Sequence, residues 1–118
     1  MRVLVCDDEP DIRHLYRSAF EIEGAEVATA EDGDEGIAKA RQFDPDLIIL
    51  DLRMPRRDGL SALPEMLVAC PAAHVLVVSA HVNVDQFGVI RDLGAAECFD
   101  KIDFLGRIPG VIAQYTAA

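Results

Sequence analysis

Asp44-Pro45-Asp46-Leu47-Ile48-Ile49-Leu50-Asp51 is the stretch whose reading decides the fold. Four large aliphatic side chains follow one another without a polar interruption, with a turn-favouring Asp-Pro-Asp before them and an acid after them. Such a run is too short for a helix and lacks the alternation of a strand with one wet face, so it reads as a strand buried on both sides of a parallel sheet. Val3 to Cys6 and Val75 to Val78 repeat the pattern, and weaker strands are expected near Ala25 to Thr29 and Ala96 to Phe99.

The intervening segments have helical period. Ile12, Leu15, Tyr16, Ala19 and Phe20 mark one apolar face of a first helix, with Pro10 in its opening turn beside Asp11 and Glu23-Gly24 as its stop. A second helix is expected from Asp34 to Gln42, between Asp32-Gly33 and Asp44-Pro45. The third follows Asp58-Gly59 and uses Leu60, Leu63 and Leu67, so Pro64 must fall in its first turns or bend it. The fourth, Val84 to Leu93, combines β-branched residues with Gly88, has poor propensity and is expected to be the least rigid. The last, Asp103 to Tyr115, carries Phe104, Leu105, Ile108 and Ile112, with Pro109 and Gly110 as internal weak points. Five strands alternating with five helices specify an α/β fold, a doubly wound parallel sheet with right-handed crossovers and helices on both faces. With 118 residues, no internal repeat and no linker, residues 1–118 are expected to form one domain.

Composition narrows the functional classes. The longest purely apolar stretches are four or five residues, far below the ~20 that span a bilayer. Met1-Arg2 leads directly into a strand without a signal peptide, so a cytoplasmic protein with no membrane partner is expected. Cys6, Cys70 and Cys98 form no CxxC pair and read as reduced, buried thiols. A net charge of −10 argues against direct nucleic-acid binding, which needs Lys and Arg to neutralise phosphates.

Chemistry gathers at the trailing ends of the strands: Asp7-Asp8 after the first, Asp51 after the third, Ser79 after the fourth and Lys101 after the fifth. In open parallel sheets the carboxyl ends of the strands form the ligand crevice, and of the two common strand orders, 2-1-3-4-5 makes the first and third strands neighbours at the switch point. Asp7, Asp8 and Asp51 then face one another. Carboxylates about 5 Å apart repel by roughly 3 kcal/mol per pair at an effective dielectric near 20, a conflict that a divalent cation removes. Ligation by a few carboxylates suits Mg²⁺, with Mn²⁺ as a substitute. Asp51 is the candidate nucleophile for an aspartyl-phosphate, with the Ser79 hydroxyl and the Lys101 ammonium stabilising the phosphoryl oxygens. Singly, an Asp-Asp pair is commonly a solvated loop or a helix cap, and Ser79 and Lys101 would be a turn and a surface residue. Their conjunction at one end of successive strands is the signal.

Asp7-Asp8, the Asp44 to Asp51 stretch, Met54-Pro55 with Asp58-Gly59-Leu60, Ser79-Ala80, and Gly94-Ala95 ahead of Lys101 resemble the receiver domain of two-component response regulators. The resemblance covers essentially the whole chain and rests on the order and spacing of these motifs. It implies a flavodoxin-like five-stranded sheet in the order 2-1-3-4-5, Asp51 as phosphoacceptor, Asp8 as a direct Mg²⁺ ligand, Asp7 as an acid acting through water, and the backbone carbonyl of Arg53 as a further ligand. Ser79 and Lys101 would bind the phosphoryl group. The implied partners are a histidine kinase or histidine phosphotransfer protein as donor, meeting the first helix near Asp11 and His14, and a downstream protein read through helix 4, strand 5 and helix 5.

Three features depart from the common family pattern. Ile102 stands where Pro usually follows the Lys, leaving the isomer of the Lys101–Ile102 peptide open. Cys98 stands at the aromatic switch position, with Phe99 one place later. Arg53 and His81 lie two positions beyond the acceptor and the hydroxyl, flanking the path of attacking water, and are expected to tune phosphate lifetime. His14, His74, Arg56 and Arg57 are read as ordinary surface or loop residues. The expected function is therefore a phosphorylation-dependent switch and not an enzyme turning over an external substrate. Two alternatives are a receiver excised from a longer regulator with a DNA-binding output domain and a Mg²⁺-dependent phosphatase with an Asp nucleophile. Against the latter, Arg53 replaces the second acid of a DxD motif.

Overall fold

The computed structural model describes residues 1–80 and 84–116. Strands β1 (Arg2–Cys6), β2 (Glu26–Ala30), β3 (Leu47–Leu50), β4 (His74–Ser79) and β5 (Glu97–Asp100) alternate with helices α1 (Pro10–Ile22), α2 (Gly33–Phe43), α3 (Gly59–Ala69), α4 (Val84–Asp92) and α5 (Lys101–Thr116). All four pairings are parallel, in the order β2-β1-β3-β4-β5. This is the doubly wound parallel sheet expected from the apolar runs, in the flavodoxin-like strand order that the family resemblance implies.

Because side chains alternate along a strand, each central run feeds two cores. Val3, Val5, Leu47, Ile49, Leu76 and Val78 pack with Tyr16 and Phe20 of α1 and Phe104, Ile108 and Ile112 of α5. Leu4, Cys6, Ile48, Leu50, Val75 and Val77 pack on the other face with Ile37 and Ala40 of α2, Leu63 and Met66 of α3 and Ile90 of α4. Burying each large aliphatic side chain contributes about 1.5–3 kcal/mol, which is why these runs tolerate no polar residue.

Local chemistry sets the ends of the helices. Asp32 caps α2 by accepting from Glu35 N at 2.8 Å, and Asp58 caps α3 by accepting from Ser61 N at 2.8 Å. Pro10 occupies the first turn of α1, as expected. Pro64 lies inside α3, and α5 begins at Lys101, two residues before the expected start. Leu15, assigned to the apolar face of α1, is 44% exposed, and Leu60 and Leu105 also reach solvent. Helical periodicity gives a stripe wider than the sheet covers. Ile90 is the fully buried side chain of α4 among the described residues, so that helix is sparsely anchored.

Candidate functional site

Register brings the acids together. Cys6 pairs with Leu50, so the next residues, Asp7 and Asp51, leave neighbouring strands side by side, and Asp51 N donates to Cys6 O at 3.0 Å. Asp7 and Asp51 are buried while Asp8 is exposed. Oxygens of Asp7, Asp8 and Asp51 all lie within 4.8 Å of one another. The donor set is all oxygen, which fits a hard divalent cation.

Lys101 enters from the start of α5. Its Nζ lies 2.8 Å from Asp7 Oδ2, 3.1 Å from Asp51 Oδ2 and 3.4 Å from Glu9 Oε1. Burial pushes the Asp51 carboxyl pKa up, as does the neighbouring Asp7, while the Lys101 charge opposes the rise. Burial also raises the pKa of Asp7, against hydrogen bonds from Lys101 and Glu9 N. For Lys101, burial alone would lower the pKa, but the hydrogen bond to Asp7 and the fields of both aspartates outweigh it, so its pKa is raised and it stays charged. The two buried carboxylates thus share one internal cation.

Ser79 ends β4 beside Asp100 of β5 and is buried at the same end of the sheet. Arg53 lies in the loop after Asp51, with its backbone N 3.4 Å from Asp51 Oδ1 and its side chain exposed. His81, the other residue expected to flank the path of water, lies outside the described residues. No peptide bond among the described residues is cis, Lys101–Ile102 included.

Several site contacts were not foreseen. Arg13 Nη1 donates to Asp7 O at 2.8 Å, and the Tyr16 hydroxyl reaches Lys101 O at 3.4 Å. Burial, helped by the fields of Asp7 and Asp51 and opposed by Lys101, pushes the Tyr16 pKa up to about 12, so it remains a donor. Tyr16 carried only a core signal in the sequence, because a helical period reveals which face is buried but not where a hydroxyl ends. Arg56 and Arg57, read as a solvated loop, also make ion pairs: Arg56, still largely exposed, with Glu31 and Asp32, and Arg57 with Asp34 and Glu65. Cys98, expected to be buried, is only partly so. It leans on the α2, α3 and α4 side of the sheet, whereas Phe99 faces α1 and α5 and packs against Phe104 in a tilted arrangement at a centroid distance of 5.3 Å. Phe99 therefore cannot replace an aromatic ring at position 98, since neighbouring strand residues point to opposite faces.

Residues 3–104 match the family model of the response regulator receiver domain. The chain belongs to that family. As a receiver domain it is a phosphoryl-acceptor signalling switch of a two-component system. It is 41% identical over 105 residues to protein-glutamate methylesterase/protein-glutamine glutaminase 1 of Geobacter sulfurreducens, covering 87% of this chain and 26% of that protein. It is 39% identical over 116 residues to the transcriptional regulatory protein PrrA of Mycobacterium tuberculosis, covering 98% and 47%. The crystal structure of the receiver domain of NtrX from Brucella abortus superposes with a TM-score of 0.85 at 32% identity, covering 96% of each chain. This receiver domain spans a quarter to a half of the length of the two longer proteins it matches.

Proposed function

We propose that Asp51 is the phosphoacceptor of this receiver domain and that a phosphohistidine on a histidine kinase or phosphotransfer protein is the donor. The observation that carries the reading is the meeting of Asp7, Asp8 and Asp51 within 4.8 Å of one another, with the Lys101 ammonium on two of them. An Asp51 carboxylate oxygen attacks phosphorus, the P–N bond breaks, and the leaving imidazole takes up a proton. Lys101 already touches Asp51 Oδ2 and is placed to follow the charge onto a phosphoryl oxygen, and the Ser79 hydroxyl would donate to another. Asp7, Asp8, Asp51 and the Arg53 carbonyl would hold Mg²⁺, or Mn²⁺ in its place, which when bound neutralises charge on the transferring group.

Phosphorylation adds charge at the ends of β3 and β4 and shifts a surface that a downstream protein reads, with α4, β5 and α5 as the output face. Cys98 at the aromatic position, with Phe99 turned to the other side, supports an output that relies on the segment after Ser79 and on α4 instead of on a rotating ring. The chain acts on its own Asp51 and not on an external substrate, in the cytoplasm. No helix among the described residues is long and apolar enough to cross a membrane. A fragment of a longer regulator with its own output domain fits the partial coverage of the relatives.

Incubation with Mg²⁺ and acetyl phosphate, followed by intact-mass measurement, is expected to show one phosphate adduct that disappears in Asp51→Ala. An adduct that survives in Asp51→Ala, or none on the wild type, would overturn the assignment.

A further inference from the structure

Glu31, Asp32 and Glu35 gather at the N-terminus of α2, with carboxylate oxygens within 4.8 Å of one another. Unlike the acids at the strand ends, they are answered by a guanidinium from the loop that follows the phosphoacceptor. Arg56 Nε donates to Asp32 Oδ2 at 2.7 Å and Nη2 donates to Glu31 Oε1 at 3.1 Å. Asp32 keeps its other oxygen on Glu35 N, so one buried carboxylate both caps a helix and holds a loop.

Arg56 adopts φ 63°, in the left-handed region that glycine enters freely and arginine does not. A strained residue of this kind persists where its surroundings over-determine it, and such residues cluster at functional sites. The next residue is fastened to the same helix. Arg57 O accepts from Gly33 N at 2.9 Å, and a Cβ on Gly33 would come within 2.7 Å of that oxygen. Arg56 is separated from the main chain of Arg53 by only Pro55, whose ring restricts φ, and Met54, which is buried.

We infer that Arg56 is a positioning residue for the metal and phosphoryl site. Its ion pairs with Asp32 and Glu31 hold the 52–58 loop against α2, keeping the main chain of Asp51 and Arg53 turned toward Asp7 and Asp8. This rests on the reading of those residues given above, and Arg56 itself touches none of them.

The test is Mg²⁺ titration by calorimetry, paired with urea unfolding, on the whole chain. Arg56→Gly removes the guanidinium while relieving the backbone, and Asp32→Asn removes the charge while keeping a capping oxygen. Arg2→Gln, which breaks the exposed pair with Glu26 at the far end of the sheet, is the control. Arg56→Gly and Asp32→Asn are each expected to raise the Mg²⁺ dissociation constant about three- to tenfold, less than the about 10–100-fold for loss of a partner bonded directly to a ligand, because Arg56 acts through the loop. The double variant should resemble either single variant, Arg56→Gly should keep near wild-type stability, and the control should bind Mg²⁺ as wild type does. Dissociation constants within twofold of wild type in both variants, with or without a loss of stability, overturn the inference. A wild-type protein that binds no Mg²⁺ overturns the site assignment itself, and this inference with it.

Discussion

Replacing Lys101 by Met keeps an unbranched side chain of similar length and deletes the one charge that Asp7 and Asp51 share. At 2.8 Å and 3.1 Å, each contact is worth about 5–6 kcal/mol of gross Coulomb attraction at an effective dielectric of 20. Desolvation of the three groups offsets most of that, and removing one partner of a buried pair costs about 3–5 kcal/mol in practice. Asp7 and Asp51 side chains are only 3% and 6% exposed, but the crevice is open at Asp8, so the low end, about 3 kcal/mol, is expected near neutral pH without divalent metal. In a domain of this size that lowers the Tm by roughly 10 °C or more.

The pH dependence has a definite sign. Both aspartates have folded-state pKa values raised above the ordinary 3.8, by burial first, and Lys101 works against the rise in each. An acid with a raised folded pKa favours the fold at low pH and loses that contribution as pH climbs from its unfolded value through its folded one. Without Lys101 both values rise further, so the deficit of Lys101→Met should be largest near neutral pH and shrink toward about pH 4. Mg²⁺, no longer competing with an ammonium, should stabilise the variant more than the wild type. Urea unfolding at several pH values, in EDTA and in excess Mg²⁺, measures all of this. A variant within about 1 kcal/mol of wild type at neutral pH in EDTA, where about 3 is expected, would refute the reasoning, as would a deficit independent of pH.

Gly59→Ala places a Cβ into the Asp51 carbonyl carbon and oxygen; overpacking against backbone costs about 1–3 kcal/mol or more, and urea unfolding together with acetyl phosphate labelling should show stability and adduct falling together. A stable variant that labels normally would show that the contact relaxes cheaply. Cys98→Tyr is expected to leave affinity for the output partner unchanged in both phosphorylation states, read by titration of phosphorylated and unphosphorylated protein. A change of more than about threefold, or ~0.7 kcal/mol, would restore a ring-based switch.

The sequence was sufficient for the sheet and its reactive end because both follow from one-dimensional pattern. Uninterrupted runs such as Leu47 to Leu50 have no alternative to burial on both faces, and the acids, hydroxyl and ammonium that follow the runs must emerge at the carboxyl edge. The identity of Asp7, Asp8, Asp51, Ser79 and Lys101 as candidates needed nothing further. What the tertiary structure decided is which partners meet across elements distant in sequence. Lys101 bridges Asp7 and Asp51, Tyr16 places its hydroxyl on the Lys101 carbonyl, and Arg56 crosses to Asp32. These contacts depend on where long side chains end once two loops and a helix have docked, and periodicity carries no information about that. The same holds for Cys98 and Phe99: alternation along β5 puts them on opposite faces, but only the packed sheet shows that the face toward α4 receives the thiol and the face toward α5 the ring.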